Sequence, residues 1–197
     1  MSAVQLGFGF EEMAEAERIA YLPATMEAAI PFYRELLARH HAAMMAGDEE
    51  RTEAIREEAH DLACRLNGDR GHFGILGGPD APGCVLERET AAPPGTIPLW
   101  GQVGDYIVQV GGMRIRIEQD GIFGVCSGWD FWMAFGAHIV DQDKPFLSET
   151  GYRSFLSYYG PMKPGGITPD QFARSACAEY IEEERTPARK RKKKGKK

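Results

Sequence analysis

The sequence has no apolar run long enough to cross a bilayer. Its most apolar stretch, residues 129–140, spans about 12 residues and contains Asp130 and His138, whereas a membrane-spanning helix needs about 20 apolar residues. The first residues, Met1 to Gly7, also lack the basic segment with which a secretory signal begins. We therefore expect a protein without a membrane span that works in the cytoplasm.

Cysteine is scarce and scattered. The four cysteines, Cys64, Cys84, Cys126 and Cys177, form no Cys-x-x-Cys pair of the kind that binds zinc or carries redox chemistry. A chain of 197 residues can bury a sufficient core without disulfide bonds. We therefore predict reduced thiols that lie in the core.

Motifs that would identify an enzyme are missing. The glycine-rich segment 71–79 lacks the Gly-Lys-Ser/Thr ending of a phosphate-binding loop, and no Gly-x-Ser-x-Gly sequence occurs. Glu57 and His60 give one Glu-x-x-His spacing, whereas di-iron bundles use two with further glutamates. A Cys126–His138 pair has no identifiable orienting acid or amide. We predict no catalytic residue, no cofactor and no metal.

Charge is divided unevenly along the chain. The formal net charge of −6 comes from 29 acidic and 23 basic residues. Eight of the basic residues lie after Ala188 and no acidic residue follows Glu184, so residues 1–185 carry −14 and the last residues carry +8. Because like charges at this density repel and bury nothing, we predict that residues 186–197 are a disordered polybasic tail.

The polybasic tail is the strongest candidate for nucleic-acid contact. Its cations can displace counterions from a phosphate backbone without preference for base sequence, and it contains no aromatic side chain that would stack on single-stranded bases. An anionic membrane or the acidic helices of the same chain are alternative contacts. The candidate residues are Arg189, Lys190, Arg191, Lys192, Lys193, Lys194, Lys196 and Lys197.

Residues 11–67 are predicted to be helical. A short helix covers residues 11–20, and two longer helices follow with apolar residues at spacings of three and four. Gly47 is expected to cap the end of the first long helix and Asp48 the start of the second, which ends at Asn67. Pro31 is expected to kink the first long helix or to mark its start. Such a short joint predicts an antiparallel helical hairpin.

Residues 68–127 differ in composition from the predicted helices that precede them. Residues 68–98 contain seven glycines and five prolines, from which we predict a loop that cannot sustain a helix. Residues 99–127 hold three short apolar runs separated by Gly-Gly and Asp-Gly, the residue pairs favoured in two-residue hairpin turns. We therefore predict a three-stranded antiparallel meander. Its strands cover residues 106–110, 113–118 and 122–126.

Residues 128–185 are predicted to return to helix. One helix would cover residues 129–139, a second would begin near Ser148 and include Tyr152, and a third would begin at Thr168. The order of elements predicts an α+β fold within a single domain, residues 1–185. In this fold the N-terminal hairpin and the C-terminal helices pack on the small meander.

The predicted helix start near Ser148 is a second candidate site. Free N–H groups at such a start can receive an anion, and a hydroxyl-rich segment lies beside a tyrosine and an arginine. The candidate partner or ligand residues are Ser148, Thr150, Tyr152 and Arg153.

The preferred function is a non-enzymatic accessory or binding protein. Its acidic body would engage an unidentified protein partner, and its tail would contact nucleic acid nonspecifically. One alternative is an acidic inhibitor that mimics DNA, because residues 11–70 carry 14 acidic and seven basic residues. This alternative requires acidic side chains in rows on one face. A second alternative is a small enzyme with a pocket near residues 68–98, in which His72 or His138 would meet a carboxylate.

Overall fold

The computed structural model describes residues 19–68, 70–124, 134–141, 150–156 and 164–185. The helices are α1 (Met26–Ala46), α2 (Glu49–Asn67), α3 (Pro82–Thr90) and α4 (Pro169–Arg185), and a 3-10 turn covers Ile75–Gly77. The strands are β1 (Gly104–Val110), β2 (Met113–Gln119), β3 (Ala134–Ile139) and β4 (Tyr152–Leu156). The predicted α+β fold is confirmed.

The helical hairpin has the predicted caps. Gly47 adopts a left-handed conformation with φ of 70° at the end of α1, and the Asp48 side chain accepts the Arg51 N–H at the start of α2. Pro31 lies inside α1, which begins five residues earlier, so Pro31 does not mark the start of the helix. The helix predicted over residues 11–20 falls almost entirely outside the described residues.

The four strands form one antiparallel sheet in the order β1-β2-β3-β4. The predicted hairpin of β1 and β2 is confirmed, and Gly111 and Gly112 both adopt positive φ angles in its turn. One face of the sheet forms a core. The large buried side chains on this face are Tyr106, Val108, Val110, Met113, Ile115, Ile117, Phe135 and Phe155.

The predicted third strand at residues 122–126 is wrong for its described part. Ile122 and Phe123 lie in a turn after β2 and are buried in the helical core rather than the sheet core. The predicted helices through Ile139 and Tyr152 are also wrong, because β3 and β4 occupy these positions. In both segments, successive side chains alternate between the two faces of the sheet. Aromatic residues occur on both faces, so this alternation is difficult to recognise in the sequence.

The prediction that residues 68–98 contain no helix is wrong. The helix α3 begins at Pro82, where the missing N–H costs no intrahelical hydrogen bond. Leu86 is fully buried against α1 and α2, so tertiary packing stabilises this short helix.

α4 begins as predicted at the Thr168-Pro169 sequence. Its apolar side covers the buried face of the sheet, where the Phe172 ring lies 6.0 Å from the ring of Phe135 and the Tyr180 ring lies 6.0 Å from that of Phe155. Aromatic edge-to-face pairs of this kind add to the free energy gained from burial. α4 therefore leaves the opposite face of the sheet uncovered by any described helix.

Trp100 joins the helical core to the sheet core. Its carbonyl oxygen lies 2.8 Å from His40 Nδ1, its N–H donates to His41 Nδ1, and its indole Nε1 donates to the Ile167 carbonyl. Its ring also lies 5.6 Å from the ring of Phe172. Because a carbonyl oxygen only accepts, Nδ1 of His40 carries the proton.

The cysteines differ in exposure. Cys177 is buried as predicted, but Cys64 is exposed, because it lies on the side of α2 that faces away from the helical core. Cys84 is partly buried, and Cys126 lies outside the described residues. None of the helices within the described ranges is long and apolar enough to cross a membrane.

Candidate functional site

The side of the sheet opposite α4 carries polar and aromatic side chains, and we call it the open face. Strand alternation brings these side chains to one side, because every second residue of a strand points the same way. The members of the open face are Asp105, Ile107, Gln109, Arg114, Arg116, Glu118, Gly136, His138, Tyr152 and Ser154.

One row of the open face crosses all four strands. Ile107 pairs with Arg116, Arg116 with His138, and His138 with Tyr152. Ile107 is 55% exposed and Tyr152 is 45% exposed, so the two ends of the row present apolar and aromatic surface to solvent. The row therefore presents a continuous strip of apolar, basic and aromatic side chains, rather than side chains that all carry the same charge.

An ion pair, a hydrogen bond and a ring contact organise the centre of the open face. Glu118 accepts from Arg116 at 2.5 Å, and its other carboxylate oxygen lies 2.9 Å from His138 Nε2. The rings of His138 and Tyr152 are 4.6 Å apart. Gly136 lets the Tyr152 ring approach, because a Cβ atom at Gly136 would lie 3.3 Å from Tyr152 Cε2. These contacts hold the side chains in defined positions before any partner binds.

A second ion pair borders the open face. Both Arg114 Nη2 and the backbone N–H of Arg114 donate to the Asp141 carboxylate, each at 2.8 Å. Hydrogen bonding to the Asp141 carboxylate and the attraction of its charge raise the pKa of Arg114. Asp141, two residues after the end of β3, is thereby fixed beside β2.

Tyr152 and Arg153, two members of the predicted surface near Ser148, lie on opposite faces of the sheet. Thr150 is exposed in the turn before β4, and a strand rather than the predicted helix begins at Tyr152. Tyr152 lies on the open face, whereas Arg153 points to the other face, with its guanidinium 3.6 Å from the centre of the Tyr180 ring. Ser148 lies outside the described residues.

The eight basic residues of the tail also lie outside the described residues. Their predicted contact with nucleic acid therefore remains a prediction based on charge.

The helical histidines serve the packing of the core. His60 lies 5.6 Å from the ring of Phe73 and 5.5 Å from that of Phe123. Burial, together with the positive charge of Arg56, lowers the pKa of His60 to about 4. Among the described residues, no three side chains of the histidine, cysteine, aspartate or glutamate type come together as metal ligands.

Both histidines that the enzyme alternative invokes are accessible to solvent among the described residues. His72 is exposed, and His138 meets the carboxylate of Glu118 on the open face. The side chains of His138 and Glu118 are 33% and 46% exposed, which leaves the pair accessible to water. Such a pair can bind a partner through charge and hydrogen bonds, but it lacks the dry environment that strengthens catalytic electrostatics.

Three glutamates form an exposed row on α2. Glu49, Glu53 and Glu57 follow one another at spacings of four and are all exposed, so they lie on one side of the helix. Arg56 does not interrupt this row, because it is 6% exposed and burial lowers its pKa to about 10. Arg51 remains exposed among the glutamates.

The sheet and α4 fall within a segment with known relatives. Residues 103–193 match the family model described as the KlcB third domain. Two Escherichia coli proteins named KlcB are also similar to this chain. One is 33% identical over 172 residues, which cover 87% of this chain and 41% of the relative. The chain is similar to KlcB over most of its own length.

The second KlcB protein is 35% identical over 160 residues, which cover 79% of this chain and 33% of the relative. The chain therefore spans less than half the length of either KlcB protein. No solved structure matches it. All four strands and α4 lie within the segment that matches the KlcB third domain, so the open face belongs to that segment.

The open face could be recognised only in part from the sequence. The alternation of Arg114, Arg116 and Glu118 with apolar residues predicts the exposed side of β2. His138 and Tyr152 were missed as members, because both were assigned to helices. The alternation of Phe135 and Ala137 with Gly136 and His138 is the signal that identifies β3.

Proposed function

We propose that this chain is a non-enzymatic binding protein of the cytoplasm. Its folded body contacts a protein partner through the open face of the sheet, and its polybasic tail contacts nucleic acid nonspecifically. The row of Ile107, Arg116, His138 and Tyr152 is the observation on which the proposal depends. Similarity to KlcB supports the proposal, because the segment that carries this row also occurs in other proteins.

The composition of the row supports a protein partner. Tyrosine and arginine are enriched at protein interfaces, where a few such side chains supply most of the binding free energy. Arg116 is already paired with Glu118, so the open face does not present the excess of positive charge that nucleic acid requires. The open face and the tail therefore suit different partners.

Replacement of Tyr152 with alanine is expected to weaken partner binding at least about tenfold, because truncating an aromatic side chain that anchors an interface costs about 2 kcal/mol. Binding is measured by quantitative capture of partners from lysate, followed by titration of the recovered partner. Tyr21→Ala is the matched control, because Tyr21 is 64% exposed on the helical side of the molecule. Equal affinity of the two variants for the partner would contradict the role of the open face.

Deletion of residues 187–197 is expected to abolish retention on DNA. With eight phosphate contacts, the logarithm of the binding constant should fall with the logarithm of salt concentration with a slope of up to about −7. A tail of the same composition in scrambled order is the control, and it should bind as the natural tail does. Unchanged DNA retention after the deletion, or loss of binding on scrambling, would contradict nonspecific contact by the tail.

The exposed row of Glu49, Glu53 and Glu57 favours the second candidate, an acidic inhibitor that occupies a DNA-binding protein. If this candidate is correct, added DNA should displace the captured partner in the same experiment. Replacement of the three glutamates by glutamine should also abolish capture of that partner. A partner that is insensitive to both changes would support the open face instead.

A further inference from the structure

The outer edge of β1 carries backbone groups that the sheet does not use. In the hairpin of β1 and β2, the closing pair Val110 and Met113 flanks a two-residue turn, so it exchanges two backbone hydrogen bonds. Hydrogen-bonded pairs then recur at every second residue. The N–H and C=O groups of Asp105, Ile107 and Gln109 therefore point away from β2.

The first part of this edge is already covered. The Ala92 N–H donates to the Val103 carbonyl at 2.9 Å, and the Gly95 N–H donates to the Asp105 carbonyl at 3.0 Å. Farther along, no backbone hydrogen bond among the described residues reaches the outer groups of Ile107 and Gln109. The open part of the edge is thus limited to these two residues.

The side chains along the open part do not protect it. Edge strands commonly carry lysine, proline or a bulge, which discourage pairing with another chain. Here Ile107 is apolar and 55% exposed, and Gln109 is uncharged and exposed. Unused backbone groups beside an exposed apolar side chain are a template for the addition of a strand.

We propose that β1 pairs in antiparallel orientation with β1 of a second copy of this chain. The twofold axis passes through Val108, which places Ile107 opposite Gln109 of the second copy. Each Ile107–Gln109 pair exchanges two hydrogen bonds, so the two copies share four and leave no outer group of these residues unused. The two sheets become one sheet of eight strands.

A second copy fits this edge because the edge is complementary to itself. The two outward-facing residues flank Val108, so a twofold axis through Val108 places each of them opposite the other in the second copy, as a closed dimer requires. The Ile107 side chains of the two copies become diagonal neighbours on one face, where each covers the exposed apolar surface of the other. The side chains that meet directly are uncharged. Because few residues take part, the dimer dissociates readily.

The test is sedimentation velocity of the full chain from about 10 µM to about 1 mM, compared with Gln109→Pro and Gln109→Ala. Proline at position 109 removes an outward N–H and no hydrogen bond to β2, so the sheet tolerates it as edge strands tolerate proline. We expect a dimer fraction that rises with concentration for the natural chain and for Gln109→Ala. Gln109→Pro should dissociate at least about tenfold more readily.

Ile107→Lys provides a second variant should Gln109→Pro fail to fold. It leaves the backbone intact and places two like charges beside each other in the dimer, so it should also weaken association at least about tenfold. Amide exchange adds an independent readout, because the Ile107 and Gln109 amides should become protected as concentration rises. A monomer at about 1 mM, a dimer unaffected by both variants, or no protection of these amides would overturn the proposal.

Discussion

Replacement of Phe123 with alanine is expected to lower the free energy of unfolding by about 3–5 kcal/mol. The Phe123 side chain is 1% exposed. Its ring lies 5.6 Å from the ring of Tyr33, 5.5 Å from that of His60 and 6.2 Å from that of Phe73. Removal of the ring therefore eliminates contacts to three elements at once and leaves a cavity among them.

The surroundings of Phe123 restrict relaxation into this cavity. A Cβ atom at Gly83 would lie 2.8 Å from Phe123 Cγ, and one at Gly74 would lie 3.3 Å from the Phe123 carbonyl oxygen. Backbone segments approach so closely here that they cannot easily move inward, which favours a cost near the upper end of the range. Urea unfolding measures the loss.

Leu76→Ala is the control for Phe123→Ala, because Leu76 is 79% exposed and its truncation should change stability by less than about 0.5 kcal/mol. A similar loss in the two variants would show that Phe123 does not hold the turn after β2 in the helical core.

Replacement of Glu87 with glutamine is expected to remove a pH-dependent loss of stability. Burial is the main cause that raises the pKa of Glu87 from 4.5 to about 7; the charge of Asp120 adds to this rise, and the hydrogen bond from the Phe123 N–H opposes it. The hydrogen bond from Phe123 N to Glu87 Oε1 is 2.7 Å long. Because glutamine also offers an oxygen there, the substitution retains the acceptor and removes the charge.

The raised pKa of Glu87 means that the folded protein binds its proton more tightly than the unfolded chain does. The associated stability is fully present below about pH 4.5 and is lost as the pH rises through about 7. Relative to the natural chain, Glu87→Gln should therefore gain about 1–2 kcal/mol between pH 5 and pH 8, given about 1.4 kcal/mol per pKa unit and partial access to water.

Urea unfolding at pH 5 and pH 8 measures the gain of Glu87→Gln. Glu53→Gln is the matched control, because Glu53 is exposed on α2 and should show no comparable gain. An equal stability difference between Glu87→Gln and the natural chain at both pH values would contradict the assignment. Asp120 is the other acid near this carboxylate, and partial desolvation raises its pKa too. Some pH dependence should therefore remain.

The parts of the fold that the sequence predicts are those governed by local rules. Gly47 and Asp48 act within one turn of the chain, and the Gly111–Gly112 turn needs only positive φ angles at two adjacent residues. Thr168 and Pro169 likewise specify a helix start by themselves. These four features were predicted without knowledge of what packs against them.

The missed parts are those whose conformation depends on distant partners. Phe123 follows an Asp-Gly pair that favours a hairpin, yet its burial among α1, α2 and α3 places the segment elsewhere. Tyr152 and Arg153 look like neighbours on one patch, but pairing of β4 with β3 sends them to opposite faces. The open face could not be assembled in advance, because its third and fourth strands depend on that pairing.

Trp100 limits how the segment that matches the KlcB third domain can be joined to other upstream sequences by recombination. The match to the KlcB third domain begins at residue 103, downstream of Trp100. Trp100 nevertheless belongs to the sheet core, and it donates to the backbone just before α4. A recombination event that joined residues 103–193 to a different upstream sequence would leave the Ile167 carbonyl without this donor and Phe172 without this ring. Such a junction would persist only if the new neighbour supplied a comparable aromatic residue.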